Sequence, residues 1–326
     1  MLQKGRAVSW NVSRVAVIVA VALGIGAGNT WASEKIAFTT DRSGDDEIYS
    51  MNVDGTNPTN LTDNGFGDYD SDAAWSPDGT KIAYEMDAQI YVMNADGSNQ
   101  HVITQGGAGY GYPTWSADGT QIACESGGEI IVMGTDGSNP VNITNDPASD
   151  SGPSWSPNGL QIAFDSNRDG NEQIYVMDAD GSNQTRITND SASDTYAAWS
   201  PDGSKIAFAS VVGMTSEIFV MDSDGSNAAS VTSGEWDYEP TWSPDGTQIA
   251  FTRNIDIYVM DADGSGAVNL TAGNGYNSNP AWSPAAASEQ VPALSVGATL
   301  ALVMLIAGCA AAAIYTQKRR RTRSEA

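Results

Sequence analysis

Along the middle of this 326-residue chain, short apolar runs alternate with polar turn residues, and the whole pattern repeats. Trp-Ser recurs at Trp75, Trp115, Trp155, Trp199, Trp242 and Trp282, at spacings of 40, 40, 44, 43 and 40 residues. Five copies continue into a turn and an apolar segment, as in WSPDGTKIAY from Trp75 and WSPDGTQIAF from Trp242. A second signature follows in each unit, such as IYVMNADGSN from Ile90 or IYVMDADGSN from Ile174. Then comes a short segment such as Val102-Ile103-Thr104 or Arg186-Ile187-Thr188. Alternation of this kind predicts strands. Each unit therefore predicts four: one ending at Trp, one at Ile-Ala-aromatic, one at Ile-Tyr-Val-Met, and one ending in Leu/Ile/Val-Thr. In the Pro-Asp-Gly turn, Pro supplies a fixed φ and Gly a positive one. Asp-Gly-Ser does the same between the third and fourth strands.

Four strands at roughly 40–45 residues per repeat is the period of a β-propeller. The ends give the blade count. Lys35-Ile36-Ala37-Phe38, Ile48-Tyr49-Ser50-Met51 and Leu61-Thr62 supply strands two to four without a Trp strand. Asn279-Pro280-Ala281-Trp282-Ser283-Pro284 supplies a first strand and nothing after it. The two fragments sum to one blade. The expected fold is all-β: a six-bladed propeller of four-stranded blades over residues 33–284, closed by Trp282 meeting Lys35–Phe38. Closure removes the open sheet edges.

These residues resemble the TolB-type propeller, the WD40-like repeat family with a WSPDG…IY.MD.DGS signature. The resemblance covers residues 35–284 and implies the fold above. It also implies an extracytoplasmic, cell-envelope setting. TolB-type proteins carry an N-terminal α/β domain, whereas here an apolar leader runs straight into Lys35.

The two ends read as addresses. Lys4, Arg6 and Arg14 precede a 13-residue apolar run, Val15 to Ala27, and then Gly28-Asn29-Thr30-Trp31-Ala32. This is short for a span and suits a signal peptide over residues 1–32, with an uncleaved anchor as the alternative. After a linker at 285–290, residues 291–315 give 25 positions without a charge, long enough to cross a bilayer as one helix. The basic tail at 316–326 should stay in the cytoplasm, leaving the propeller periplasmic or extracellular. A C-terminal sorting signal of the PEP-CTERM kind is the other reading of this end.

Charge sharpens the picture. Of 15 Lys and Arg, only seven fall within 33–290, against 39 of the 40 acids, so that stretch carries about −32. Such a surface excludes nucleic acid and favours cations, basic proteins or basic peptides. Catalytic signatures are missing: His101 is the lone histidine, and no nucleophile elbow, HExxH or CxxC occurs. Cys124 and Cys309 offer no disulfide framework. Asn60, Asn142, Asn183, Asn189 and Asn269 stand in N-x-S/T sequons.

The turn residues barely vary between units, so one face reads as structural. The opposite face, built from the strand 2–3 and 4–1 loops, varies and carries Phe66, Tyr69, Tyr110, Tyr112, Tyr196, Trp236, Tyr238 and Tyr276. Aromatics beside carboxylates are usual binding material. Five positions before each repeat Trp stand Asp70, Tyr110, Asp150, Asp194, Asp237 and Asn277. If strand one is innermost, these six are expected to converge on a channel mouth. Asp70, Asp150, Asp194 and Asp237 would then hold Ca²⁺ or an inserted basic side chain, because close like charges need neutralising. Asp165–Glu172 reads either as part of a calcium loop or as a hairpin turn. No cofactor is required. The expected function is a membrane-anchored scaffold that binds a protein or peptide, with a carbohydrate lyase or hydrolase using funnel carboxylates, or a structural surface protein, as alternatives.

Overall fold

The computed structural model describes residues 34–285 apart from 66, 107, 108 and 190. The expected leader, span and basic tail lie outside the described residues. Among the described residues no helix is long and apolar enough to cross a membrane.

The described residues form six antiparallel sheets of four strands. Blade 1 runs inner to outer through Asp70–Trp75, Lys81–Met86, Gln89–Asn94 and the two-residue His101–Val102. Blades 2 to 5 repeat that order from inner strands Gly111–Trp115, Asp150–Trp155, Asp194–Trp199 and Asp237–Trp242. Blade 6 joins the two ends of the fold: inner strand Asn277–Trp282 pairs with Lys35–Thr40, with Ile36 opposite Trp282 and Ala37 opposite Ala281. Ser283 N–H donates to the Lys35 carbonyl and Lys35 N–H to Ser283 Oγ, so the joint is hydrogen-bonded in both directions.

The apolar alternation has its reason in where the core sits. Six hydrophobic clusters fill the spaces between blades rather than within them. Ile90 and Val92 of blade 1, for example, pack on Trp115, Ile122 and Cys124 of blade 2. Each sheet must therefore be apolar on both faces, and no blade can bury its own residues alone. Cys124 is one of these packing residues; burial pushes its thiol up to about 12, which leaves it unreactive.

The recurring Thr of the fourth segment is also explained. In every blade its Oγ1 accepts the N–H of the first Ile of strand three, from Ile48 to Thr62 at 2.9 Å through to Ile257 to Thr271 at 2.9 Å. The sequon Asn side chains at 60, 142 and 269 accept the backbone N–H groups that follow them, so they cap turns. In the Asp-Gly-Ser turns, glycine serves twice. Gly181 has φ +86°, and a Cβ there would strike the Ile143 carbonyl of the preceding blade. Gly181→Ala is accordingly expected to destabilise by at least about 1 kcal/mol, read as a lowered urea midpoint.

Candidate functional site

Each inner strand pairs with its neighbour in two stretches separated by a register shift, for example between Ser71 and Ala74 and between Thr195 and Ala198. Three positions before the Trp, the backbone turns left-handed in every blade. The φ values are 55° at Asp72, 51° at Tyr112, 57° at Gly152, 58° at Tyr196, 57° at Glu239 and 51° at Asn279. Only one of the six is glycine. Aspartate and asparagine tolerate this region, but tyrosine and glutamate enter it at a cost. The bulge re-aims these side chains. They line an axial cavity of about 280 Å³ with the prolines that follow most of them, Pro113, Pro153, Pro240 and Pro280.

Strand two adds more acid at the same height, because Glu85 pairs with Ser71, Glu125 with Gly111 and Asp165 with Ser151. Of the carboxyl groups in this layer, Asp72 and Glu239 line the cavity, and Glu85, Glu125 and Asp165 stand on the strands behind them. Burial pushes Asp72 well above the usual carboxylate range, and the charges of Glu85 and Glu239 add to it. Burial likewise raises Glu85, Glu125, Asp165 and Glu239. The groups are held rigidly. Glu239 Oε2 accepts from Asn279 N–H at 2.7 Å and from Thr252 Oγ1 at 2.7 Å. Asp72 Oδ1 accepts Asn279 Nδ2 at 2.5 Å, and Asp165 Oδ2 accepts Tyr196 N–H at 3.0 Å. The Tyr112 and Tyr196 hydroxyls are pushed up by burial and stay neutral donors. The four ion pairs among the described residues all lie elsewhere, and no Lys, Arg or His lines the cavity.

The residues five before each Trp do not line this cavity. Asp70, Asp150, Asp194, Asp237 and Asn277 are fully buried, each at the start of its own inner strand. Tyr110 packs on the core between blades 1 and 2. The expectation of a shared mouth is corrected for a simple reason: the bulge intervenes, and the side chain beyond it turns into the blade. There Arg168 grips Asp150 through both oxygens at 2.9 Å, and Arg253 grips Asp237 at 2.7 and 2.8 Å. Arg42 donates to Asn277 at 3.0 Å. All three guanidinium groups also lie over the blade's Phe–Tyr pair, as Arg168 does 4.6 Å from the Tyr175 centroid. Among the described residues no three His, Cys, Asp or Glu side chains are grouped as metal ligands. Arg253→Ala is expected to cost about 3–5 kcal/mol by leaving Asp237 buried and unpaired, measured by thermal or urea unfolding.

The Asp165–Glu172 segment is a hairpin turn rather than a calcium loop. Asp165 points to the axis, Asn167 accepts Ser149 N–H, and Asp169 accepts the Tyr175 hydroxyl. The predicted aromatics divide. Tyr112 and Tyr196 belong to the axial ring. Tyr69, Trp236 and Tyr276 are exposed on the variable face, and Tyr238 donates to the Asn254 carbonyl beside them. Phe66 lies outside the described residues. One feature of this face escaped the repeat pattern: the blade 4 hairpin, Lys205–Val212 and Thr215–Asp222, has eight-residue strands where the other blades have six. Its extension exposes Val211, Val212 and Met214, and Ser216 bridges to Trp236.

The family model for the TolB beta propeller domain matches residues 18–129 and 125–286. The chain belongs to that family. TolB from Acinetobacter baumannii superposes with a TM-score of 0.67 at 24% identity, covering 82% of this chain and 71% of that one. A putative TolB from Agrobacterium tumefaciens gives 0.61 at 22%, covering 73% and 88%. An oligogalacturonate lyase in complex with manganese gives 0.53 at 16%, covering 72% and 73%. These likenesses concern the fold. No curated protein matches the chain. Within this TolB-type propeller the shared repeat accounts for the Trp, Pro-Asp-Gly and Asp-Gly-Ser positions. The axial ring, with a different residue in most blades, is where this chain has its own character.

Proposed function

We propose that this TolB-type propeller is an extracytoplasmic scaffold, held to a membrane by its C-terminal apolar segment, that binds a protein or peptide on its variable face. A basic side chain of the partner enters the axial cavity. The observation that carries this reading is a cavity of about 280 Å³ lined by Asp72 and Glu239, with Glu85 beside Asp72 and no Lys, Arg or His in its lining. Like charges so placed hold protons or await a positive group. An ammonium or guanidinium would find acceptors on Asp72 and Glu239, and neutral Tyr112 and Tyr196 hydroxyls beside its stem. On the variable face, Trp236, Tyr276, Val212 and Met214 offer apolar contact, and such residues supply much of the energy in protein interfaces. The chain leaves the propeller at Pro284–Ala285, on the turn face, opposite this surface. Detergent extraction of the native membrane tests the anchoring half: the protein should resist high-salt washes, and release by salt alone would count against it.

The carboxyl pair Asp72 and Glu85 also suits general acid–base chemistry, which keeps the lyase or hydrolase reading in view. Incubation with oligogalacturonate and other acidic and neutral glycans, with and without Mn²⁺, separates the two. The binding reading expects no turnover. Turnover lost in Glu85→Gln would make the protein an enzyme.

A further inference from the structure

Most seams between blades share one polar design, and one of these departs from it in its charge. At five seams the side chain of the residue before the first Ile of strand three accepts the hydroxyl of the recurring Thr, and the next inner strand opens close by. Both positions are acidic at three seams, Glu47 and Asp70, Glu129 and Asp150, and Glu217 and Asp237. At the second and third, an arginine neutralises the inner carboxylate, Arg168 on Asp150 and Arg253 on Asp237. At the first there is none. Met86 stands opposite Asp70 in the register where Arg253 stands opposite Asp237.

Both acids of that seam are buried, Asp70 at 0% exposure and Glu47 at 2%. Glu47 Oε2 accepts Thr62 Oγ1 at 2.5 Å, and Asp70 Oδ2 accepts Asn64 Nδ2 at 3.0 Å. The Asp70 and Glu47 carboxyl groups lie within hydrogen-bonding reach of each other. The groups facing Asp70 are Glu47 across the seam, Tyr84 and Met86 on its own second strand, and Thr62 and Asn64 before it. Asp45 stands behind Glu47 and adds to the negative charge, and none of these groups is cationic. The stretch from Gly67 to Asp70, which carries the exposed Tyr69, is tied to blade 6 here. Gly67 N–H donates to Asp45 Oδ2 at 3.1 Å and Asp70 N–H to the Asp46 carbonyl at 2.9 Å.

We propose that the seam between blades 6 and 1 is a proton-operated joint: one proton shared by Asp70 and Glu47 holds the stretch from Gly67 to Asp70 onto blade 6, and loss of that proton releases it. The proton stands in for the missing arginine. Its release frees a stretch of the variable face that presents Tyr69, so the shape of that face becomes a function of pH.

The direction follows from linkage. Burial, together with the Glu47 charge, raises Asp70 from 3.8 to about 7 in the closed seam. In an opened seam it returns to the ordinary value. Opening is thus suppressed at acid pH. It should grow up to about tenfold per pH unit between about pH 4 and 7, then level off. Hydrogen exchange of the Gly67 and Asp70 amides in the full chain, corrected for intrinsic rates, reads this directly. The wild type should lose protection several-fold per pH unit across that range. Asp70→Asn, which keeps the shape but cannot ionise, should be flat. Met86→Arg, which supplies the guanidinium found on Asp150 and Asp237, should be flat as well, and serves as the test if Asp70→Asn fails to fold. Protection that does not change with pH in the wild type, or that follows the same course in Asp70→Asn, overturns the proposal.

Discussion

Trp282→Ala is expected to destabilise the propeller more than the same change at Trp155. Both indoles are nearly buried, with 8% and 9% exposure, and deleting either leaves a cavity worth about 3–5 kcal/mol. Trp155 sits in a blade whose four strands are consecutive in the chain. Trp282 anchors the one inner strand whose sheet partner, Lys35–Thr40, is more than 200 residues away. When Trp282 is lost, Ile36, Phe38 and Met51 of blade 6 and Val259 of blade 5 lose a shared neighbour. The strand can then detach, which exposes two sheet edges at once. Urea unfolding followed by circular dichroism should show a lower midpoint for Trp282→Ala, with a broadened or two-step transition. Equal midpoints for the two variants would mean that the ring does not depend on this closure.

Stability is expected to be highest on the acid side of neutrality and to fall as pH rises toward 8. The sign comes from two opposed sets of acids. Asp72, Glu85, Glu125, Asp165 and Glu239 are raised by burial. Their stabilising effect is complete below the ordinary carboxylate range and is lost as pH climbs through their folded values. The turn residues Asp78, Asp118, Asp202 and Asp245 are lowered by hydrogen bonds from Ser and Thr side chains and backbone N–H groups. Their contribution is present above about pH 4 and is lost as pH falls below it. The melting temperature should therefore peak near pH 5 and stand roughly 5 °C or more above its value at pH 8. Asp72→Asn combined with Glu239→Gln should flatten the neutral limb and leave the acid limb in place. A curve that rises from pH 5 to 8 would contradict the electrostatics of the axis.

The fold was legible because its punctuation is chemical. Trp-Ser-Pro-Asp-Gly and Asp-Gly-Ser mark turns that only those residues make well, and their count gives six blades. The closing of blade 6 followed from two fragments that complement each other. The site was less legible, and the reason lies in one residue per blade. Strict period two puts the residue five before each Trp on the same face as the residue three before it, which gives the recurrent Asp at 70, 150, 194 and 237 a place at the axis. The bulge at Asp72, Tyr112, Gly152, Tyr196, Glu239 and Asn279 breaks that period, so the recurrent Asp turns inward and its recurrence marks structure. Sequence did hold a hint: the residue three before each Trp differs in most blades while its surroundings repeat. The blade 4 arm left no such hint, because its Trp spacing of 43 is matched by the 44 of blade 3, whose second and third strands have six residues. The pairing of Arg168 and Arg253 with buried Asp left none, since Arg168 lies in a turn and Arg253 at a strand end.

Calorimetric titration of the protein with a pool of lysine- and arginine-containing hexapeptides, at physiological salt, tests the axial ring most directly. Parallel runs use an acidic pool, Ca²⁺, and the Asp72→Asn, Glu239→Gln variant. Saturable heat is predicted for the basic pool alone, reduced at least tenfold in affinity in the variant. Equal heats from wild type and variant, or saturation by Ca²⁺ without binding of the basic pool, would contradict a cavity built to receive a basic side chain.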